Sequence, residues 1–300
     1  MDHIKVKAPA TSANLGSGFD VFGIALQAPY DIIELEPQDV TEIKVDGVGR
    51  DLVPTDPAKN TAGITASELG CNAKITVHKG IRPCSGLGSS AASAAGAALG
   101  LNELFDLGLS ENELIRAAVK GEKVVSGTAH ADNVAAALLG GFTIVNGENV
   151  IQLEPPDIGI IAILPDISVE TRAARSILPP KVPLEDLVFN IGNASSLVLG
   201  MVTGNLELIG RSMQDRIITP VRSKLIPCYE DVRESALEAG AAGATISGSG
   251  PAMIAVCELE RRGEIADAMV DAFSRNGIKS EPFITQPGGG AEIVKGMNER

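Results

Sequence analysis

The stretch Pro83-Cys-Ser-Gly-Leu-Gly-Ser-Ser-Ala-Ala92 decides how the rest of the chain is interpreted. It follows a predicted strand, Ala73–His78, and leads into an Ala/Ser/Gly-rich run that predicts a helix over Ser89–Phe105. Its glycines allow backbone angles that other residues avoid. Free N–H groups and the positive end of the helix dipole then converge on one place. The loop therefore predicts a phosphate site; the alternative is a structural turn with a serine N-cap.

Two other nucleotide-binding patterns fit this loop less well. The P-loop pattern GxxxxGK[ST] does not occur around it. The loop does match G-x-G-x-x-A, a variant dinucleotide fingerprint, through Gly86, Gly88 and Ala91. A dinucleotide fold needs a strand after the helix, but here the capping box Ser110-Glu-Asn-Glu113 opens a second helix. The dinucleotide interpretation therefore fits less well than the phosphate site.

Composition limits the classes of partner. The chain has 300 residues, of which 38 are acidic and 25 basic, for a net charge of −13. Such a chain is a poor candidate for binding nucleic acid or anionic membranes. The four cysteines show no metal-ligand spacing, and the N-terminus lacks the apolar core of a signal peptide. We expect a cytoplasmic protein with reduced cysteines and neither nucleic-acid nor membrane partners.

The order of elements predicts an α+β fold in two domains. Short β-branched runs such as Ile4–Ala8 and Tyr30–Leu35 predict strands early in the chain, and helical texture dominates after residue 88. Glu154-Pro-Pro-Asp157 is the best boundary, because paired prolines interrupt any element. The predicted domains are residues 1–156 and 157–300.

Three further segments carry chemistry-bearing residues. Pro9-Ala-Thr-Ser-Ala-Asn-Leu-Gly-Ser-Gly-Phe-Asp20 predicts a polar loop after the first strand, which is either a binding loop or an ordinary β-loop. Ile246-Ser-Gly-Ser-Gly-Pro251 predicts a hairpin turn. In His130-Ala-Asp-Asn133, Asp132 is either a general base or a partner of the helix dipole, and His130 contacts a ligand or is structural. Glu122 is a metal ligand or a solvated helix residue.

Taken together and in this order, the three Gly/Ser motifs resemble those of the GHMP kinases, named for galacto-, homoserine, mevalonate and phosphomevalonate kinases. The segments are Ala8–Asp20, Ser85–Ala92 and Ser247–Pro251. The first motif and the His-Ala-Asp-Asn segment are most similar to those of the homoserine kinases. Mevalonate kinases usually have a lysine in the first motif, where this chain has Thr11 and Ser12.

The resemblance implies an N-terminal nucleotide-binding domain, a C-terminal ferredoxin-like domain and a site between them. It implies MgATP as phosphoryl donor and L-homoserine as acceptor, in a step toward threonine. The loop would bind ATP through Pro83, Cys84, Ser85, Gly86, Leu87, Gly88, Ser89, Ser90, Ala91 and Ala92, with Asn60 near the adenosine. Ser90 and Glu122 would hold Mg²⁺, and Lys79 would reach a phosphate oxygen.

The acceptor carries a carboxylate, an ammonium and a hydroxyl, so its site needs groups of both charges. The resemblance, with this chemistry, implies a substrate site of Asn14, Asp20, His130, Thr171, Arg175 and Arg222. Asp20 and Asn14 suit the ammonium, and two guanidinium groups suit the carboxylate. Phosphoryl transfer depends mainly on positioning and charge stabilisation. Either Asp132 is the general base, or no base is needed and Asn133 orients the hydroxyl.

Three competing functions stay open from the sequence. The closest is a GHMP kinase for another small alcohol, such as shikimate or a mevalonate derivative. The second is a ligand-sensing relative that has lost catalysis, and the third is an oxidoreductase that uses the G-x-G-x-x-A loop. A homodimer is also possible, although no sequence feature establishes it.

Overall fold

The computed structural model describes residues 2–126 and 131–294. Within these ranges the chain forms two β-sheets with helices packed against them. The strands are β1 (Ile4–Ala13), β2 (Phe22–Pro37), β3 (Glu42–Gly47), β4 (Ala73–Lys79), β5 (Phe142–Asn146), β6 (Asn149–Leu153), β7 (Gly159–Pro165), β8 (Gly243–Ile246), β9 (Met253–Cys257), β10 (Ser280–Thr285) and β11 (Glu292–Ile293). The helices are α1 (Thr61–Glu68), α2 (Ser89–Leu104), α3 (Glu111–Ser126), α4 (Ala131–Leu139), α5 (Thr171–Ser176), α6 (Leu184–Thr203), α7 (Leu206–Ser212), α8 (Thr219–Arg222), α9 (Tyr229–Glu238) and α10 (Arg262–Arg275).

The first sheet has seven strands in the described part of the chain. Its main path runs β11-β1-β2-β4-β3, and β5 joins β2 and carries β6. All pairs are antiparallel except β3 with β4. The long strands β1 and β2 form its centre and alternate buried with more exposed residues over their outer halves.

Helix α2 lies close against this sheet because its sequence is built from small residues. A Cβ added at Gly96 would lie 2.7 Å from Ile33 Cδ1, and one at Gly100 would lie 2.4 Å from Leu35 Cδ1. Both distances are shorter than a normal Cβ contact, so a side chain at either glycine would displace Ile33 or Leu35, and glycine lets the helix approach β2 closely. The close fit fixes the start of α2, and with it the phosphate loop, relative to the sheet.

The second sheet has the order β10-β7-β9-β8, entirely antiparallel. Numbered along its own segment, this is strand order 4-1-3-2. Helices α5–α9 separate β7 from β8, and α10 connects β9 to β10. This β-α-β-β-α-β arrangement is the ferredoxin-like unit expected for the C-terminal half. Strand β7 is buried along its whole length, as its unbroken apolar run predicts.

The two sheets do not divide the chain at one point. The predicted boundary at residues 156/157 falls between β6 and β7, which belong to different sheets. Strand β11, however, returns to the first sheet, where Val6 pairs with Ile293 and Lys7 with Glu292. The N-terminal domain therefore includes the last strand of the described chain, and the exact boundary stays a prediction.

The prediction of one loop over Pro9–Asp20 was wrong in its first half. Strand β1 continues to Ala13, and Thr11, Ser12 and Ala13 pair with Ala25, Ile24 and Gly23 of β2. Polar residues suggested a loop, but Thr11 and Ser12 are fully buried and their hydroxyls form hydrogen bonds. Local polarity failed as a signal because tertiary partners satisfy these groups.

No described helix has the length and apolar character needed to cross a bilayer.

Candidate active site

A cleft of about 590 Å³ lies where the first sheet, the phosphate loop and the second domain meet. The residues predicted for the site converge on it from seven separate parts of the chain. Those that line it are Asn14, Asp20, Asn60, Lys79, Pro83, Cys84, Ser85, Gly86, Gly88, Ser89, Ser90, Ala91, Glu122, Asp132, Asn133, Thr171 and Arg222. The motifs thus lie around one cleft, and contact with a ligand stays a prediction for each residue.

The three Gly/Ser motifs contact one another directly. Asn14 Nδ2 donates to the Gly248 carbonyl at 2.9 Å, and the Gly248 N–H donates to the Ala13 carbonyl at 3.1 Å. The Ser247 hydroxyl donates to the Gly86 carbonyl at 2.8 Å and lies 2.9 Å from the Ser12 hydroxyl. The third motif is therefore more than a hairpin turn, because it holds the first motif and the phosphate loop together.

The phosphate loop needs glycine at two positions for both conformation and space. Gly86 and Gly88 have φ of 84° and 66°. A Cβ at Gly86 would lie 2.6 Å from the Ser247 carbonyl oxygen, and one at Gly88 would lie 1.9 Å from Thr11 Oγ1. Gly88 is also the N-cap residue of the sixteen-residue helix α2. The first-turn amides of α2 therefore face the cleft, as an anion site requires.

Lys79 lies beneath the loop and is already fully engaged. Its ammonium group contacts Asp31 Oδ2 and donates to the Ser89 carbonyl at 2.8 Å and Ser93 Oγ at 3.1 Å. Asp31 Oδ1 also accepts the backbone N–H groups of Gly80 and Ile81. Burial lowers the pKa of Lys79, and attraction to Asp31 opposes that shift. All three ammonium protons have protein acceptors, which favours a role in supporting the loop over the predicted phosphate contact.

Ser90 and Glu122 form the candidate magnesium site. The Ser90 hydroxyl donates to Glu122 Oε1 at 2.8 Å, and both residues line the cleft. Burial raises the pKa of Glu122 to about 7, while the Ser90 hydrogen bond lowers it and nearby Asp132 raises it. A cation beside this buried carboxylate would stabilise its charged form. One carboxylate and one hydroxyl suit Mg²⁺, which usually keeps several waters and shares substrate phosphates.

Residues 2–126 and 131–294 contain no group of three or more His, Cys, Asp or Glu side chains that could hold a metal ion. A dedicated protein cage for a metal is thus absent from these ranges.

Asp132 and Asn133 begin helix α4 and face the cleft. Asp132 Oδ1 accepts the Asn133 N–H at 2.8 Å and the Asn133 amide at 3.2 Å. Thr11 Oγ1 donates to Asn133 Oδ1 at 2.8 Å. Burial raises the pKa of Asp132 to about 6, against the lowering effect of the Asn133 N–H. A carboxyl group titrating near this value suits a general base, since its basic form dominates at neutral pH.

Asp20 and Arg222 line the cleft, and Arg175 lies beside it as the partner of Asp20. Arg175 donates through both terminal nitrogens to Asp20, at 2.8 and 2.5 Å. Buried Arg222 donates to the Gly248 carbonyl at 2.9 Å. The Phe19 ring lies 5.2 Å from each guanidinium carbon. Two cations, one carboxylate and an aromatic surface are thus gathered in one place, as a zwitterionic ligand would require.

Four predicted site residues have protein surroundings that the sequence did not indicate, and a fifth cannot be placed because it is not described. Leu87 and Ala92 pack into the hydrophobic core, so a nucleotide would meet only their main chain. Asn60 caps α1, accepting from the Ala62 N–H and donating to the Pro54 carbonyl. Arg175 reaches the site through Asp20, and His130 lies outside the described residues. Thr171 is placed as predicted and is within 3.2 Å of the Ser249 hydroxyl.

The structure also adds residues that sequence reasoning missed. Asp31, Ser93 and Thr11 join the network around the loop, and Leu52–Pro54 lines the cleft beside Asn60. One signal was available for Asp31, which is a lone acid in the apolar segment Tyr30-Asp-Ile-Ile33. A buried charge needs a partner, and Lys79 ends the strand paired with it. No comparable sequence signal marked Leu52–Pro54.

Family models match both halves of the chain. The model described as the GHMP kinases N terminal domain matches residues 57–141. The model described as GHMP kinases C terminal matches residues 197–275. The first range contains the phosphate loop, Glu122 and the Asp132–Asn133 pair, and the second contains Arg222 and the Ser247–Pro251 motif.

Similar proteins extend this match to nearly the full chain. A homoserine kinase of Haloarcula marismortui is 53% identical over 290 residues, covering 97% of this chain and 99% of that protein. A homoserine kinase of Natronomonas pharaonis shows the same identity and coverage. The crystal structure of homoserine kinase from Cytophaga hutchinsonii has a TM-score of 0.91 at 38% identity, covering 98% of both chains.

Proposed function

The chain belongs to the GHMP kinases and, within them, to the homoserine kinases; from this membership and the geometry of the cleft we propose that it transfers the γ-phosphoryl group of ATP to the side-chain hydroxyl of L-homoserine. The products are O-phospho-L-homoserine and ADP, and the step belongs to threonine biosynthesis. The observation that carries the proposal is that Asp20, which is paired with Arg175, and Arg222 line the same cleft as the N-terminus of α2. One end suits a polyanion, and the other suits an amino acid.

The nucleotide occupies the loop end of the cleft in this proposal. Its phosphates lie against the first-turn amides of α2, where the helix dipole favours negative charge. The adenosine extends toward Asn60 and the apolar segment Leu52–Pro54, which lines the same cleft. This arrangement explains how a chain with a net charge of −13 binds a polyanion, because local backbone groups supply the positive potential.

The amino-acid acceptor occupies the charged end. Its ammonium lies against Asp20, and its carboxylate lies between Arg175 and Arg222. Asp20 and Arg175 form an ion pair with each other in this structure. In the proposal this pair is replaced by two, one between the substrate ammonium and Asp20 and one between the substrate carboxylate and the arginines. Both charges of the substrate are matched. This favours homoserine over shikimate or a mevalonate derivative, which carry no ammonium group.

Asp132 and Asn133 lie between the two ends and act on the hydroxyl. In the proposed reaction the hydroxyl oxygen attacks the γ-phosphorus, and the bond from that phosphorus to the ADP oxygen breaks. Asn133 orients the hydroxyl through its amide, and Asp132 is placed to accept the hydroxyl proton. Its raised pKa, about 6, keeps it ionised at neutral pH yet basic enough to take a proton. The alternative, late proton loss without a dedicated base, stays open.

Mg²⁺ is the divalent cation we propose for the Ser90–Glu122 site. When bound there with ATP, Mg²⁺ neutralises charge on the phosphate oxygens. Ser90 and Glu122 would hold the cation beside the phosphates.

A cytoplasmic location and a homodimer stay predictions.

The test is ADP release from MgATP with L-homoserine, L-threonine, shikimate and mevalonate supplied separately. We expect turnover with homoserine and little or none with the other three acceptors. Turnover with shikimate or mevalonate alone would keep the kinase activity and overturn the amino-acid site. ATP binding without turnover on any acceptor would favour a ligand-sensing role.

A further inference from the structure

Thr11 connects three parts of the candidate site that are distant in sequence. It is fully buried near the inner end of β1. Its backbone N–H donates to the Leu87 carbonyl in the phosphate loop at 3.1 Å. Its hydroxyl donates to Asn133 Oδ1 at the start of α4 at 2.8 Å. One threonine thus bonds to both the donor-side loop and the acceptor-side asparagine.

The hydroxyl also occupies the space that a side chain at position 88 would need. A Cβ on Gly88 would lie 1.9 Å from Thr11 Oγ1 and 3.1 Å from Asn133 Oδ1. The loop backbone therefore packs directly on the contact between Thr11 and Asn133. Any shift of that hydrogen bond would therefore move Gly88, the residue directly before α2, where phosphate is expected to bind.

Two hydrogen bonds together determine which way the Asn133 amide faces. An amide can point its oxygen or its nitrogen toward a neighbour, and only the bonding network decides between them. The Asp132 carboxylate only accepts, so Nδ2 faces it at 3.2 Å, and the Thr11 hydroxyl then donates to Oδ1 and anchors it. Thr11, Asn133 and Asp132 then form a chain of donors and acceptors with one consistent direction.

We propose that Thr11 is a positioning residue for phosphoryl transfer, acting through Asn133. By anchoring Oδ1 it holds the Asn133 amide in place, with one Nδ2 proton toward Asp132 and one toward the acceptor hydroxyl. The inference rests on the proposed function, because it assumes that Asn133 orients that hydroxyl. Thr11 itself contacts no substrate in this proposal.

Two matched pairs of variants isolate the hydroxyl. Thr11→Val keeps the shape and removes the hydroxyl. Thr11→Ser and Thr11→Ala both lose the methyl group and differ only in the hydroxyl. We expect kcat with homoserine to fall about 10- to 100-fold in the valine and alanine variants, since a misplaced positioning group typically costs this much. The serine variant should retain most of the wild-type kcat, and KM for MgATP should change less than threefold throughout.

A double-mutant cycle with Asn133→Ala separates positioning from general loosening of the site. If Thr11 acts through Asn133, then Thr11→Val in the Asn133→Ala background should lower kcat by less than twofold. An equal loss in both backgrounds would overturn the proposal, as would full activity of Thr11→Val. Thr65→Val is the folding control, because Thr65 is equally buried but bonds only to the Thr61 carbonyl within α1.

The outcomes are distinguishable from a failure of the proposed function. A wild-type enzyme that does not phosphorylate homoserine would overturn that function before any variant is compared. An active wild type with an unaffected Thr11→Val would overturn only the role of Thr11. If Thr11→Val does not fold, as judged by its melting temperature, the serine and alanine pair still decides the question.

Discussion

Two acid–base pairs at the site have similar chemistry but opposite surroundings. Asp31 and Lys79 lie beneath the phosphate loop, with side chains that are 0% and 1% exposed. Asp20 and Arg175 lie at the acceptor end, with side chains that are 36% and 30% exposed. The inner pair has its remaining hydrogen-bonding positions occupied by Ser89, Ser93 and backbone N–H groups. The outer pair can open toward solvent and substrate.

This difference assigns the two pairs different tasks. A buried pair resists separation, because removing one partner leaves an uncompensated charge in a region of low dielectric constant. An exposed pair contributes little to stability and exchanges partners readily. We therefore infer that the inner pair supports the loop and that the outer pair binds substrate. In the sequence this distinction is indicated only at Asp31, a lone acid in an apolar segment.

The largest expected effect comes from breaking the inner pair. Lys79→Met should lower the free energy of unfolding by about 3–5 kcal/mol, because Asp31 would stay buried without its cation. Chemical denaturation measures this loss. The control is Lys74→Met on the same strand, whose half-exposed pair with Glu36 should be worth about 1 kcal/mol or less. A stable Lys79→Met protein with a raised KM for MgATP would instead support the phosphate contact predicted from sequence.

Breaking the outer pair should affect catalysis instead of stability. Arg175→Ala should lower kcat/KM for homoserine by about 100-fold, since a bidentate contact to the substrate carboxylate is lost. The free energy of unfolding should change by about 1 kcal/mol or less, because the pair is partly exposed. Steady-state kinetics and denaturation measure the two effects. The exposed pair of Arg116 with Glu148 offers a control, and Arg116→Ala should alter neither. A large loss of stability in Arg175→Ala would instead show that the outer pair, like the inner pair, has a structural role.

A third carboxylate, Asp132, shows what burial does without a cationic partner. It is buried like Asp31, but its described hydrogen-bond donors are the neutral amides of Asn133. Its folded-state pKa of about 6 lies above its ordinary value of 3.8. The folded protein therefore binds more protons than the unfolded chain between about pH 4 and 6, and stability falls as pH rises through that window. Above about pH 6 Asp132 is ionised in the folded protein, and the full free-energy cost of its buried charge lowers stability.

Asp132→Asn should remove this cost. The variant should gain about 3 kcal/mol in free energy of unfolding at pH 8 and about 1 kcal/mol at pH 4.5. Urea denaturation at the two pH values measures the difference. If Asp132 is the general base, kcat should fall at least about 100-fold. A gain independent of pH would show that Asp132 does not titrate in this window. Nearly full turnover would remove its role as base.

Much of the fold followed from local sequence signals. Helices α4 and α6 and strand β9 begin and end where their patterns predict. Capping residues, apolar runs and Gly-Gly stops act within a few residues, so a single sequence carries them. The ferredoxin-like half agrees with the expectation drawn from the family resemblance. Strand β6 was missed because its residues are mostly exposed or half-buried and show no apolar alternation.

The site was less accessible to sequence reasoning, because its assignments depend on burial and partners. Motifs indicated the phosphate loop and the Asp132–Asn133 pair, and the family resemblance paired Ser90 with Glu122; all of these residues line the cleft except Leu87 and Ala92 of the loop. The motifs left open whether Lys79 faces ligand or protein, since that depends on Asp31 in a different strand. They also treated Thr11 as a loop residue, although its hydroxyl bonds to a side chain 122 positions away. Long-range hydrogen bonds of this kind leave no local pattern.

The return of β11 to the first sheet has a consequence for synthesis on the ribosome. Until residues near position 293 emerge, β1 is the edge strand of the N-terminal sheet, with its outer N–H and C=O groups unpaired. Nearby backbone bonds from Gln27 to Gln286 and from Ala291 to Ala137 are equally delayed. An open edge invites pairing with other chains. The nascent N-terminal half is therefore open to intermolecular pairing until the segment that carries β11 has been synthesised.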